Sequence, residues 1–211
     1  MKKLLLLPLL LCSLSALAGG NPLHTPYPSP DKNIYISVFQ QKGQTWYNIL
    51  LFRQVLMDQT TLGLDTEQGS FYKDLKVKDV RSQFRIEHLR QPNGRTRRYT
   101  WQQVVYQAVN PAGQRIDIVF RLTNDCVAYC YRFPGQTDSP RILKEYGETY
   151  TEPTLFKVPE VGWIQMFQSD ADVHLPGATP WRIMVCSPSM DVVEACTVLD
   201  DLRQSMAAAQ K

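Results

Sequence analysis

The chain has 211 residues, of which 44% are hydrophobic and 20% are charged, and its formal net charge is +3 at pH 7. This length allows one domain with a real core and leaves little room for two. The net charge falls to +1 without Lys2 and Lys3, which argues against a nucleic-acid partner held by phosphate neutralisation.

Residues 1–18 have the pattern of an export signal. A basic head precedes an apolar run, and Ala16 and Ala18 supply the small residues of a cleavage site. We therefore expect a mature protein that begins near Gly19 and is periplasmic or secreted. Lipidation at Cys12 is an alternative, but it would cut the apolar run short. No later segment approaches the roughly eighteen apolar residues of a membrane span, so we expect a soluble mature chain.

Residues 19–30 are rich in proline, which fixes φ and removes a backbone donor, so we predict an extended lead outside the sheet. The region 31–186 then contains many short β-rich runs separated by turn residues. The runs are 34–39, 45–52, 75–80, 84–89, 99–109, 115–122, 126–133 and 181–186. This pattern predicts a mostly β fold, an antiparallel β-sandwich.

The hydrophobic period changes after the last predicted strand. Ser187 and Pro188 are typical of a helix start, and apolar residues then recur at helical spacing, namely Val192, Ala195, Cys196, Leu199, Leu202 and Met206. We predict one amphipathic C-terminal helix over 187–206 that packs on the sandwich, followed by a frayed tail at 207–211.

Four cysteines follow the export signal: Cys126, Cys130, Cys186 and Cys196. Export permits disulfide bonds, but the spacing does not determine their connectivity. Cys126 and Cys130 fall in one predicted strand, where four residues span about 13 Å. They cannot bond to each other without a bend in that strand. Buried thiols that pack as small apolar groups are the alternative to a bridge.

The densest glutamate set is Glu145, Glu148 and Glu152. Glycoside hydrolysis needs two carboxyl groups that face each other across the bond. Glu145 and Glu148 would point to opposite faces of a strand, so we interpret this segment as a solvated face. We assign no catalytic residue from the sequence.

A metal site is conceivable at Asp170, Asp172 and His174, which would share one face of an extended segment. Their carboxylate and imidazole groups suit several divalent metals. A polar loop without metal is the alternative.

Arginines crowd the predicted turn at 92–94. A solvated hairpin tip and a contact with an anionic polymer are both consistent with this pattern.

Exposed aromatic rings are common in carbohydrate sites, because sugars present C–H surfaces to the π face and hydroxyls to nearby polar groups. We expect Trp101 and Trp163 to be exposed and to be candidates for carbohydrate binding, and Trp181 to be structural.

Four segments carry a family resemblance: SPDKNIYISV (29–38), TTLGLD (60–65), IDIVFRLTNDCVAYCYRFP (116–134) and ATPWRIMVCSPSMDVVEACTVLDDL (178–202). Together they resemble the N-terminal domain of family 97 glycoside hydrolases, and the third segment is the most specific. The resemblance implies a sandwich of the galactose-mutarotase-like type, which in that family precedes a catalytic (β/α)8 barrel.

The sequence also departs from that family. Cys126 stands where the family usually has glycine, and Cys130 where it usually has arginine. The family's catalytic carboxylates lie in the barrel, which has no counterpart here. The glutamate that the family's sandwich gives to a calcium ion, in a stretch resembling H-E-A-x-L, has no match between Tyr150 and Thr179. The resemblance therefore implies a non-catalytic domain that lacks the family's calcium.

The leading expectation is an exported, non-catalytic β-sandwich that binds carbohydrate, with α-linked oligosaccharides as the ligand class. One alternative is a remnant or split accessory subunit of an α-glucosidase or α-galactosidase that acts with a separate barrel. Another is a periplasmic structural or interaction protein that has kept the fold and lost the sugar.

Overall fold

The computed structural model describes residues 25–90, 94–147, 150, 153–168 and 175–190. These residues form strands that pair antiparallel throughout. The strands are β1 Tyr27–Pro28, β2 Ile34–Gln41, β3 Gln44–Leu51, β4 Gln54–Leu62, β5 Leu64–Thr66, β6 Gly69–Ser70, β7 Lys76–Arg90, β8 Thr96–Val109, β9 Arg115–Leu122, β10 Cys126–Arg132, β11 Ile142–Glu145, β12 Thr154–Val158, β13 Gly162–Gln168 and β14 Arg182–Ser187.

One layer of the sandwich is a four-stranded sheet in the order β1-β2-β3-β4. Residues of β2 and β3 alternate between buried and half-buried, because one face of the sheet meets the core and the other does not. The turn between them consists of Lys42 and Gly43, both with positive φ, as a two-residue hairpin requires.

The opposite layer is a seven-stranded sheet in the order β12-β13-β14-β10-β9-β8-β7. A third, small sheet, β11-β5-β6, lies at one end of the fold, and Gly63 alone separates β4 from β5. The chain therefore passes directly from the four-stranded sheet into the small sheet.

The main core fills the space between the two large sheets. Tyr47 from β3 contacts Phe120 from β9 and Tyr129 from β10, with ring centroids 5.7 Å and 5.6 Å away. These rings are fully buried, so they remove a large apolar area from water at the centre of the sandwich.

The outer face of the seven-stranded sheet is buried as well at its central strands. It carries a second apolar cluster in which Val119, Cys126, Ala128, Cys130 and Val185 are almost inaccessible to solvent. Because both faces of β9 and β10 are buried, these strands do not alternate between apolar and polar residues. β10 is almost wholly apolar, and β9 buries Asp117 and Arg121 among its apolar residues.

The prediction of a mostly β, antiparallel β-sandwich is confirmed. The lead over 19–30 needs one correction, because Tyr27 and Pro28 pair with Ile36 and Tyr35 of β2 and so join the sheet. Pro28 is tolerated there because β1 is an edge strand.

The predicted C-terminal helix lies outside the described residues except at its start. Ser187 is the last residue of β14, and its Oγ accepts a hydrogen bond from the Ser189 N–H at 3.1 Å. Among the described residues, no helix has the length and apolar character that a membrane crossing needs.

Candidate functional site

Segments that are distant in sequence meet around Gly63, between β4 and β5. The Gly63 N–H donates to the Tyr131 hydroxyl at 2.7 Å, and its carbonyl accepts from the Tyr146 N–H at 2.9 Å. Gly63 has a φ of 145°, and a Cβ on it would lie 2.8 Å from the Tyr72 Cα. Glycine is therefore needed both for this backbone conformation and for the close approach of Tyr72.

Tyr72 and Tyr146 stack at this position, with ring centroids 3.5 Å apart and ring planes 5° from parallel. We call this pair the tyrosine platform. Both residues are half-buried. The Lys144 ammonium lies 4.4 Å from the centroid of the Tyr146 ring, and it must lie on the face opposite Tyr72 because the stacked pair leaves no room between the rings.

Polar groups surround the platform. The Tyr146 hydroxyl donates to the Asp65 carboxylate at 2.8 Å, and this hydrogen bond raises the pKa of Tyr146. The Gln44 side-chain amide donates to the Tyr72 hydroxyl at 2.5 Å. Lys144 is exposed and lies opposite Asp65 in the register of β11 and β5. The site thus offers an aromatic surface ringed by a carboxylate, an amide and an ammonium group.

Glu145 faces away from the platform and forms a buried ion pair with Arg182. The prediction of a solvated face is therefore wrong for Glu145, because strand alternation turns its side chain inward between exposed Lys144 and half-buried Tyr146. Burial raises the pKa of Glu145, while the Arg182 guanidinium acts in the opposite direction. Glu148 and Glu152 lie outside the described residues.

The ion pair between Glu145 and Arg182 lies on the side of β11 that faces away from the platform. Arg182 also donates to the Pro180 carbonyl at 2.8 Å, which ties β14 to the loop before it. The small cavity lined by Arg182, Tyr129 and Tyr150 has room for about one water molecule. It is too small for a sugar ring, so this cavity is not a carbohydrate site.

The expectation that Trp101 is exposed is wrong. Only 3% of its surface is accessible, since its ring packs against the outer face of the sheet near Arg121. The Arg121 guanidinium lies 5.7 Å from the Trp101 centroid and 4.9 Å from that of buried Trp181. A sugar cannot reach the Trp101 ring in this arrangement.

Trp163 is half-buried, and Lys157 lies opposite it on β12 with its ammonium 5.4 Å from the ring centroid. Part of its surface packs against the outer cluster. Carbohydrate binding by Trp163 stays a prediction. The structure does not bring Trp163 together with Trp101 into one surface.

The buried cysteines are free thiols. Cys126, Cys130 and Cys186 carry no disulfide, and burial raises the pKa of each, that of Cys130 to about 12. Such thiols are poor nucleophiles, because the thiolate is the reactive form. Cys196 lies outside the described residues.

The predicted metal ligands Asp170, Asp172 and His174 also lie outside the described residues. Within the described ranges, no three His, Cys, Asp or Glu side chains converge in a way that could hold a metal ion. The expected loss of the family's calcium stays a prediction.

Sequence reasoning missed the tyrosine platform. The signal available was the segment TTLGLD, which contains Gly63 and Asp65. Nothing local marks Tyr72 or Tyr146 as a pair, since they meet only because β5 pairs with β11.

The paired antiparallel sheets define the class of this protein as a β-sandwich. The family model described as glycosyl-hydrolase 97 N-terminal matches residues 28–161. The chain belongs to this family. No curated protein matches the chain in sequence.

Solved structures share the fold at low sequence identity. A β-arabinopyranosidase matches with a TM-score of 0.63 and 19% identity over 78% of this chain and 40% of its own. A family 97 glycoside hydrolase from Pseudoalteromonas sp. strain K8, as the E480Q variant with panose, matches with a TM-score of 0.59 and 16% identity over 80% of this chain and 36% of its own. The same enzyme with acarbose gives 0.58 and 15%, over 78% and 36%. This chain thus spans about 40% or less of the length of these enzymes.

Proposed function

We propose that this chain is an exported accessory β-sandwich that binds neutral carbohydrate at the tyrosine platform and does not hydrolyse it. The observation that carries the proposal is the stacked Tyr72 and Tyr146 pair with Asp65, Gln44 and Lys144 around it. A sugar ring can place its C–H groups on the outer face of Tyr146 once the exposed Lys144 side chain moves aside. Its hydroxyls then meet groups that both donate and accept hydrogen bonds.

The ligand class we propose is α-linked gluco- and galacto-oligosaccharides. Structural neighbours of the same family have been crystallised with panose and acarbose, which supports testing that class first. The proposal of export is supported by the pattern of residues 1–18 alone.

The test is titration of the mature chain, residues 19–211, with a panel of these oligosaccharides by calorimetry, followed by analysis of products. We expect saturable binding without released sugar. Tyr146→Ala should weaken binding about tenfold, which corresponds to roughly 1.4 kcal/mol, because the stacking surface is lost.

The matched control is Tyr35→Ala, which removes a half-buried tyrosine from β2 at the end of the strand away from Gln44. It should leave binding unchanged. Trp163→Ala tests the other aromatic candidate in the same assay. If Trp163→Ala weakens binding and Tyr146→Ala does not, the platform is the wrong site. If no panel member binds, or if sugar is released, the proposed function is wrong.

A second candidate function is an accessory subunit that acts with a separate catalytic barrel. Two observations favour it: the structural neighbours continue well beyond the matched domain, and Leu143 beside the platform is 61% exposed. Such a subunit should raise the activity of a family 97 barrel when the two are mixed, and Leu143→Ser should reduce that effect. Tyr35→Ala again serves as the control.

A further inference from the structure

The edge strand β7 and the outer part of β8 form a ribbon that extends beyond the sandwich. β8 pairs with β9 only from Gln102 onward, so residues 96–101 pair with β7 alone. β7 is the last strand of the seven-stranded sheet, and no described strand pairs with its other edge. Over 15 residues it therefore presents a row of backbone donors and acceptors to which a further strand can add.

The ribbon is strongly basic. Residues 76–101 contain eight Lys and Arg against two Asp and Glu, a net charge of +6, whereas the whole chain has a net charge of +3. The remaining residues therefore sum to −3. Positive charge is concentrated on this one element, which attracts an acidic partner.

The ribbon also exposes apolar side chains. Phe84 and Ile86 are 50% and 46% exposed, and their spacing of two places them on the same face of β7. Arg85 points to the other face and is exposed. An anionic polysaccharide would need only the charges, whereas a polypeptide strand would use the charges, the apolar pair and the open backbone edge together.

A second copy of this chain is a poor match for the edge. β7 has five Lys and Arg against two Asp and Glu, so two paired β7 strands would each carry a net charge of +3 and would repel one another. The basic edge of β7 therefore disfavours pairing with a second β7 strand and favours pairing with an acidic strand.

We propose that β7 binds an acidic, extended segment of another protein, which adds to the seven-stranded sheet as an eighth strand. Acidic side chains of that segment face the arginines of β7, and its apolar side chains contact Phe84 and Ile86. This proposal is independent of the carbohydrate site.

The probe is a ten-residue peptide of alternating Glu and Val, with acetylated and amidated ends. A control peptide has the same charge and a proline at two central positions, which removes backbone donors. Binding to the mature chain is measured by fluorescence anisotropy, and amide hydrogen exchange reports protection along β7. We expect the Glu-Val peptide to bind at least tenfold more tightly than the proline control, to weaken with added salt, and to protect the amides of β7.

Arg85→Glu should weaken the peptide about tenfold. Lys157→Glu makes the same charge change on β12, the opposite edge of this sheet, and should have no effect. Hydrogen exchange on the unaltered chain keeps the test valid if a variant fails to fold.

Two outcomes would overturn the proposal. Equal binding of both peptides, with dextran sulfate displacing either, would make the ribbon a general polyanion site. No binding of the Glu-Val peptide, or binding without protection of β7, would exclude strand addition.

Discussion

The centre of the seven-stranded sheet and the small sheet at its end use the same strand geometry for different purposes. β9 and β10 are buried on both faces, and most of their side chains are apolar groups or thiols. β11 is four residues long, and at its end the inward carboxylate of Glu145 lies between the outward side chains of Lys144 and Tyr146. The apolar contacts that stabilise the fold are concentrated in strands with two buried faces. The varied polar and aromatic groups of the candidate site lie where one face of a strand meets water.

Loss of the buried ion pair between Arg182 and Glu145 should have the largest effect on stability. Arg182→Met leaves Glu145 buried without its partner, which should cost about 3–5 kcal/mol of unfolding free energy. Urea unfolding followed by tryptophan fluorescence measures it. The double change Arg182→Met with Glu145→Leu should recover most of that loss, because no buried charge remains.

The control for this pair is Arg81 and Asp79, an ion pair whose side chains are 71% and 47% exposed. Arg81→Met should change the unfolding free energy by no more than about 1 kcal/mol. Equal losses at Arg182 and Arg81 would mean that burial does not distinguish the two pairs.

Gly63 tests how far the platform depends on the backbone beneath it. Gly63→Ala should cost about 2 kcal/mol of stability, since alanine is strained at this φ and its Cβ meets Tyr72. It should also weaken oligosaccharide binding, because Tyr72 has to move. Thermal unfolding and calorimetry give both quantities.

Gly113 provides the comparison. Its φ is also positive, at 80°, but a Cβ there would meet nothing within 4 Å. Gly113→Ala should cost only about 1 kcal/mol and leave binding intact. If both glycines behave alike, crowding at Tyr72 has no role in the site.

The buried thiols of the seven-stranded sheet should have the smallest effect on stability at neutral pH. In a Cys196→Ser background, Cys126, Cys130 and Cys186 should react with a thiol reagent only after unfolding. Their raised pKa values mean that the folded state binds more protons than the unfolded state above about pH 9. Stability should then fall as pH rises, by up to about 1.4 kcal/mol per pH unit for each thiol.

Urea unfolding at several alkaline pH values measures that slope. Rapid labelling of the native chain would contradict the burial of these thiols. A flat profile between pH 9 and 11 would contradict the raised pKa of Cys130.

The strands most accurately predicted from the sequence are those buried on both faces. The predicted run 115–122 coincides with β9, because burial of both faces gives it consecutive apolar residues of high β propensity, Ile118, Val119 and Phe120. Runs 75–80 and 84–89 are instead one strand, β7, because pairing with β8 continues through polar residues that no hydrophobic pattern marks. β4 and β11 were not predicted, since five of the nine residues of β4 and two of the four of β11 are polar and neither strand has a clear hydrophobic pattern.

The candidate site was less predictable for a related reason. Gly63 and Asp65 lie in a segment that the family resemblance had marked, but Tyr146 reaches them only through pairing between strands about eighty residues apart. Local patterns carry no information on such pairing. The burial of Trp101 was missed likewise, because its contact with Arg121 joins residues of two different strands.

The position of β14 has a consequence for how the chain reaches this structure. β7 to β10 follow one another in sequence and pair as neighbours, so they can assemble from local hairpins as they are synthesised. β14 inserts between β10 and β13 and begins about fifty residues after β10 ends. Until residue 187 is available, β10 and β13 both keep an open edge, and such edges invite aggregation. The strand that closes the sheet is thus the last of the described strands to be made, and it also brings Arg182 to Glu145.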